Sequence, residues 1–149
     1  MIQVQCAVMP PPVATALIER AAGMALPPQF EQVDLTIVLT DNAQLHQLNR
    51  EYLGVDAATD VLSFPSNEKD PQTGVRYLGD ILISIPQAGI QAQAAHHPLE
   101  SEVQLLVVHG ILHLLGYDHS EPAEKSRMWK VQGDILQSLG LGDIQVREE

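Results

Sequence analysis

The sequence predicts one mixed α/β (α+β) domain spanning residues 1–149, with a sheet of about four strands and helices packed on it. Three observations lead there. The chain has 149 residues, the size of one ordinary domain, and 45% of them are apolar, enough to bury a core. Short runs rich in β-branched residues alternate with longer amphipathic ones. Prolines, glycines and helix-capping residues punctuate the boundaries between them.

Residues 2–8 alternate apolar and polar side chains and read as an edge-type strand. Pro12 opens a helix reaching Met24, because proline is tolerated in a first helical turn, and Pro27 and Pro28 end it. Residues 33–39, VDLTIVL, have the β-branched character of a strand. Thr40 or Asp41 caps a helix that runs to Tyr52 and closes at Gly54. Residues 61–64 make a short strand stopped by Pro65, and the Asn, Asp, Pro and Gly of residues 66–77 predict a mobile loop. Residues 78–85 form a further strand, with Asp80 set in an apolar run. Residues 87–97 read as an alanine- and glutamine-rich helix. Pro98 at the first helical position, with Glu100 and Glu102 in the first turn, opens the main helix, which stops at Gly116. Residues 123–139 form a last amphipathic helix capped by Gly140.

Eight Lys and Arg face nineteen Asp and Glu, a formal net charge of -11. Proteins that grip nucleic acid by neutralising phosphates are usually basic. The balance argues against a general nucleic-acid coat and leaves room for a local cationic patch or a metal cleft. No run approaches the roughly 18–20 apolar residues of a membrane span, and no basic flank precedes an apolar run at the start. A cytoplasmic protein without a membrane partner is expected. The single cysteine, Cys6, excludes an internal disulfide and a thiolate-rich metal site.

One segment carries chemistry: His109-Gly110-Ile111-Leu112-His113-Leu114-Leu115-Gly116-Tyr117-Asp118-His119. His109 and His113 are four apart, so a helix projects both from one face. Both imidazoles can then reach one ion at the Zn–N distance of about 2 Å. Gly116 takes the left-handed conformation cheaply, ends the helix and lets the chain turn back. His119 on the returning segment supplies a third nitrogen. The surrounding helix is apolar almost all round, hence buried, and two imidazoles placed there without partners would be costly. Three histidines leave a fourth position for water, the arrangement of catalytic rather than structural zinc. Imidazole also suits nickel and other divalent metals.

The spacing H-x-x-x-H-x-x-G-x-x-H is the frame of the metzincin zinc proteases, so the main helix reads as a metzincin-like metal helix. In those enzymes a Glu follows the first His as general base. Gly110 stands there in this chain, which argues against an ordinary protease of that class.

HGILHLLGYDH resembles the signature of the YbeY family of bacterial metal-dependent endoribonucleases. The resemblance extends to Leu48-Asn49-Arg50-Glu51-Tyr52, to Thr59-Asp60-Val61-Leu62-Ser63-Phe64-Pro65 and to Leu78-Gly79-Asp80-Ile81. It also covers the last helix, with Met128, Ile135 and Leu136 before Leu139-Gly140. The resemblance implies a zinc ion held by His109, His113 and His119 and cleavage of single-stranded RNA by a metal-activated water. It implies maturation of the small-subunit ribosomal RNA 3′ end and quality control of late ribosomes, with ribosomal RNA and the small subunit as partners and no DNA. The chain departs from the family at Leu53, where members commonly carry an Arg suited to clamp a phosphate. Gln132 stands where a Glu is frequent.

Supporting candidates are Arg50, as a replacement phosphate clamp or a solvated helix charge, and Asp80, which orients a histidine, lines the cleft or is a hydrogen-bonded structural carboxylate. Asp118 beside His119 either supports that ligand or forms the turn. His46, His96 and His97 lack ligand spacing, and the His96-His97 pair reads as loop surface. Met128 and Trp129 read as core contacts. Two other functions stay open at this point: a metzincin-like peptidase or small-molecule hydrolase, and a non-catalytic ribosome-assembly factor with a structural metal.

Overall fold

The computed structural model describes residues 1–7, 11–30, 32–117 and 121–142. Four strands, β1 (Ile2–Cys6), β2 (Val33–Thr40), β3 (Val61–Pro65) and β4 (Arg76–Ser84), form one sheet in the order β1-β2-β4-β3. β1 and β4 both run parallel to β2, while β3 pairs antiparallel with β4 at the sheet edge. Five helices accompany it: α1 (Thr15–Ala25), α2 (Asn42–Leu53), α3 (Ile85–Ala95), α4 (Leu99–Leu114) and α5 (Pro122–Ser138). The expected α+β domain with four strands is what forms.

Strand periodicity assigns the two faces. Leu35, Ile37 and Leu39 of β2, with Ile81 and Ile83 of β4, face a core shared with α1, α4 and α5. The other face carries a smaller cluster of Leu45, Leu62 and Leu82, with Val38, Leu48 and Phe64 beside it. Among the described residues, the helical cover of that cluster comes from Leu45 and Leu48 of α2. Thr36, Tyr77 and Asp80 stay half-buried there.

Several boundaries differ from the sequence reading. Strand β1 ends at Cys6, and Val8 lies outside the described residues. Helix α1 starts at Thr15 rather than Pro12, because Val13 is buried in the core from a non-helical stretch. A 3-10 turn at Pro28–Phe30 follows. Residues 66–77, expected as a loop, form a hydrogen-bonded hairpin connection whose last two residues belong to β4. Lys69 bridges Arg76, Tyr77 N–H donates to the Glu68 carbonyl at 2.8 Å, and the Asp70 carboxylate accepts from the Gln72 and Thr73 amides. Helix α3 begins two residues early, at Ile85, because Ser84 Oγ accepts the Gln87 amide and Pro86 fits the first turn. Pro98 is the N-cap of α4, one position before the place expected for it.

His97 corrects the reading of its pair as loop surface. Its side chain is only 13% exposed, and its Nε2 lies 2.7 Å from the fully buried Glu102 carboxylate. Gln91 Nε2 bridges that carboxylate to the buried Asp60 at 2.9 and 3.1 Å. Three polar side chains thus tie α3 and the start of α4 to the residue preceding β3.

Candidate metal centre

Helix α4 is buried on every side from Ser101 to Leu112, as its all-round apolar sequence requires. His109 and His113 project from one face near its C-terminal end. Their Nε2 atoms are 3.1 Å apart, and their rings meet edge to face with centroids 4.6 Å apart. Two nitrogens bound to one tetrahedral ion at about 2.05 Å would sit about 3.3 Å apart. The pair therefore fits a shared zinc ion. Gly116 ends the helix with φ +99°, and the Tyr117 amide returns to the Leu112 carbonyl at 3.0 Å. That is the turn expected from the glycine. His119 and Asp118 lie outside the described residues. Among the described residues no third His, Cys, Asp or Glu completes a metal cluster.

Helix α5 orients the first histidine. His109 Nδ1 is 2.9 Å from Gln132 Oε1, inside the core, where Gln132 is 2% exposed. The amide oxygen only accepts, so Nδ1 carries the proton and Nε2, the nitrogen facing His113, carries the lone pair a metal would use. The Trp129 ring stands against His109 at 5.8 Å and limits its rotation. The sequence reading noted Gln132 only as a departure from the family pattern and read Trp129 as packing. A signal was present: Met128, Gln132 and Leu136 repeat every four residues, so a polar side chain sits in a buried helical stripe.

Gly110 has a local reason too. A Cβ there would lie 2.8 Å from Ile81 Cγ2 and 3.2 Å from Ser63 Oγ. The helix touches the sheet at this point, and Ser63 Oγ donates to the Gly110 carbonyl at 3.2 Å. A glutamate side chain at this position would have to push aside the Ile81 and Ser63 side chains.

The other candidates fall elsewhere. Arg50 is exposed in the last turn of α2 and makes no hydrogen bond or ion pair among the described residues. Asp80 lies on the sheet face opposite α4, so it orients neither described histidine; it accepts the hydroxyl of Tyr77. Burial, then the Asp80 carboxylate, hold the Tyr77 hydroxyl above its ordinary pKa of 10.0, so it remains a donor. Leu53 is exposed beside Tyr52 and Val55.

The sequence model of the Endoribonuclease YbeY family matches residues 13–140. An endoribonuclease YbeY of a Roseiflexus species is 46% identical, over 90% of this chain and 91% of that one. One from Desulfitobacterium hafniense is 42% identical, over 85% and 86%. The solution structure of TM1509 from Thermotoga maritima shares the fold, with a TM-score of 0.58 at 23% identity, over 99% of this chain and 97% of that one. With the family model spanning most of the chain and relatives this similar across it, the chain belongs to the endoribonuclease YbeY family.

Proposed function

We propose that the chain is a zinc-dependent endoribonuclease of single-stranded RNA, acting in 3′ maturation of small-subunit ribosomal RNA and in late ribosome quality control. Ribosomal RNA and the small subunit are its partners, and the cytoplasm is its compartment. Among the described residues no helix is long and apolar enough to cross a membrane.

The observation that carries the chemistry is the 3.1 Å approach of the two Nε2 atoms on one helix face. His109, His113 and His119 would hold the ion. When bound there, a zinc ion would supply Lewis-acid polarisation of a phosphoryl oxygen and acidify a water to a pKa of about 7. Gln132 fixes the His109 tautomer, and the Trp129 ring restricts its orientation. Gly110 keeps α4 against the sheet edge, so the pair sits beside the strand bearing Ser63 and Phe64.

Family membership favours neither the peptidase nor the structural-metal alternative. The test compares cleavage of single-stranded RNA by the purified protein and by its His113→Ala variant, with zinc content measured in both. Activity should fall at least about a hundredfold with loss of zinc, since removing a key catalytic group typically costs that much. Equal cleavage by the two would reject the mechanism.

A further inference from the structure

We propose that the groove between α2 and the β3–β4 edge receives one unstacked nucleobase of the RNA chain and prefers cytosine to uracil there. The inference rests on the endoribonuclease reading and adds a base subsite to it.

The groove encloses about 370 Å³ and is lined by Leu48, Tyr52, Phe64, Asp80 and Leu82. Four of these present apolar or aromatic surface. The Tyr52 and Phe64 rings meet at 5.8 Å with 72° between their planes, and Tyr52 is 68% exposed. Exposed aromatic rings are the usual stacking platform for single-stranded bases.

The polar group is Asp80. One of its oxygens accepts the Tyr77 hydroxyl, while Oδ2 has no hydrogen-bond partner among the described residues. The hydroxyl of Tyr77 also lies 2.7 Å from Thr36 Oγ1, which fixes the position of the carboxylate. An anionic acceptor facing an apolar groove repels a phosphate and suits an N–H donor. Cytosine offers its amino group, whereas uracil offers a carbonyl oxygen at the same ring position. The carboxylate therefore attracts the one and repels the other.

Continuity with the metal centre places the groove on the path of the substrate. Ser63 and Phe64 are consecutive in the edge strand β3 and point to opposite faces. Ser63 Oγ bonds the Gly110 carbonyl, next to His109, and Phe64 lines the groove. A strand of RNA crossing this edge would put a base in the groove and its backbone beside the histidines. The net charge of -11 makes base contacts all the more useful, because few cations are present to hold phosphates.

The experiment measures binding of short oligocytidine and oligouridine by fluorescence anisotropy to the parent, Tyr52→Ala and Asp80→Asn. Circular dichroism and zinc content confirm that each variant is intact. The parent should bind oligocytidine several-fold more tightly. Tyr52→Ala should weaken both about tenfold, the size of one lost stacking contact. Asp80→Asn, which keeps an acceptor for Tyr77, should erase the cytidine preference. Unchanged binding in both variants, or equal affinity of the parent for the two oligonucleotides, overturns the subsite. Variants that bind RNA normally but fail to associate with the small ribosomal subunit would mark a protein-docking face and overturn it as well. A parent that still cleaves RNA in any of these cases leaves the nuclease reading standing. A parent that neither binds nor cleaves RNA removes both.

Discussion

Gln132 is a neutral side chain holding a histidine that the proposed metal needs in one tautomer. Replacing it with leucine removes the acceptor for His109 Nδ1–H at similar volume. Zinc affinity should fall about 10–100-fold, the usual loss for a residue that orients a ligand from behind. Competition with a chromophoric chelator measures it. Gln132→Glu keeps an acceptor and should retain the parent affinity or exceed it, and a leucine variant that binds zinc normally would deny Gln132 its role. Tyr77 gives a pH dependence. Its pKa is raised in the folded state, so the native protein keeps this proton where the unfolded chain loses it. The associated stability is fully present below the unfolded value of about 10 and is lost as pH rises through the folded one. Urea titrations between pH 9 and 11 should show falling stability, and Tyr77→Phe should flatten part of that fall.

Two glycines decide how elements meet. At Gly110 the backbone is helical and only side-chain atoms of Ile81 and Ser63 crowd a new Cβ. Gly110→Ala should cost about 1–3 kcal/mol, the range for overpacking a tight contact. Gly79 is a harder case, with φ +143° and a Cβ that would lie 2.3 Å from the Phe64 carbonyl oxygen. Gly79→Ala should cost more than Gly110→Ala, because backbone strain and the β3–β4 pairing are lost together. Urea midpoints of the two variants settle the order. The Gly79 region also changes the face of its neighbours. The β2–β4 register slips between Asp34 and Leu35, leaving Leu78 as an extra residue in β4. This bulge puts Tyr77 and Asp80 on one face, although three residues apart they would face opposite ways in a regular strand.

For the whole molecule, the question is what the metal stabilises. The main core joins β1, β2 and β4 to α1, α4 and α5 without any need for an ion. The histidine pair lies toward one end of α4. Removing zinc with a chelator should therefore leave the far-ultraviolet circular dichroism at 25 °C unchanged. It should lower the Tm by about 5–10 °C, as expected when a ligand at about a hundred times its Kd is withdrawn from a domain of this size. Unfolding on chelation would instead favour a structural metal.

Much of this was legible in the chain. The four strands, the all-round apolar helix, the helix-ending Gly54 and Gly116 and the i, i+4 histidines all rest on local periodicity and glycine chemistry, which act over a few residues. Other features depend on contacts between distant segments. Gln91 and Glu102 looked like ordinary helix polar groups, yet they join His97 and Asp60 in a buried network spanning more than 40 residues of chain. Asp80 looked able to serve the histidines, and the bulge at Leu78 together with the packing of α4 puts it on the far face. Sequence by itself determined which side chains could act and on which local elements they ride. Tertiary structure alone decided which of them meet, because sheet register and helix packing are set by burial across the whole core.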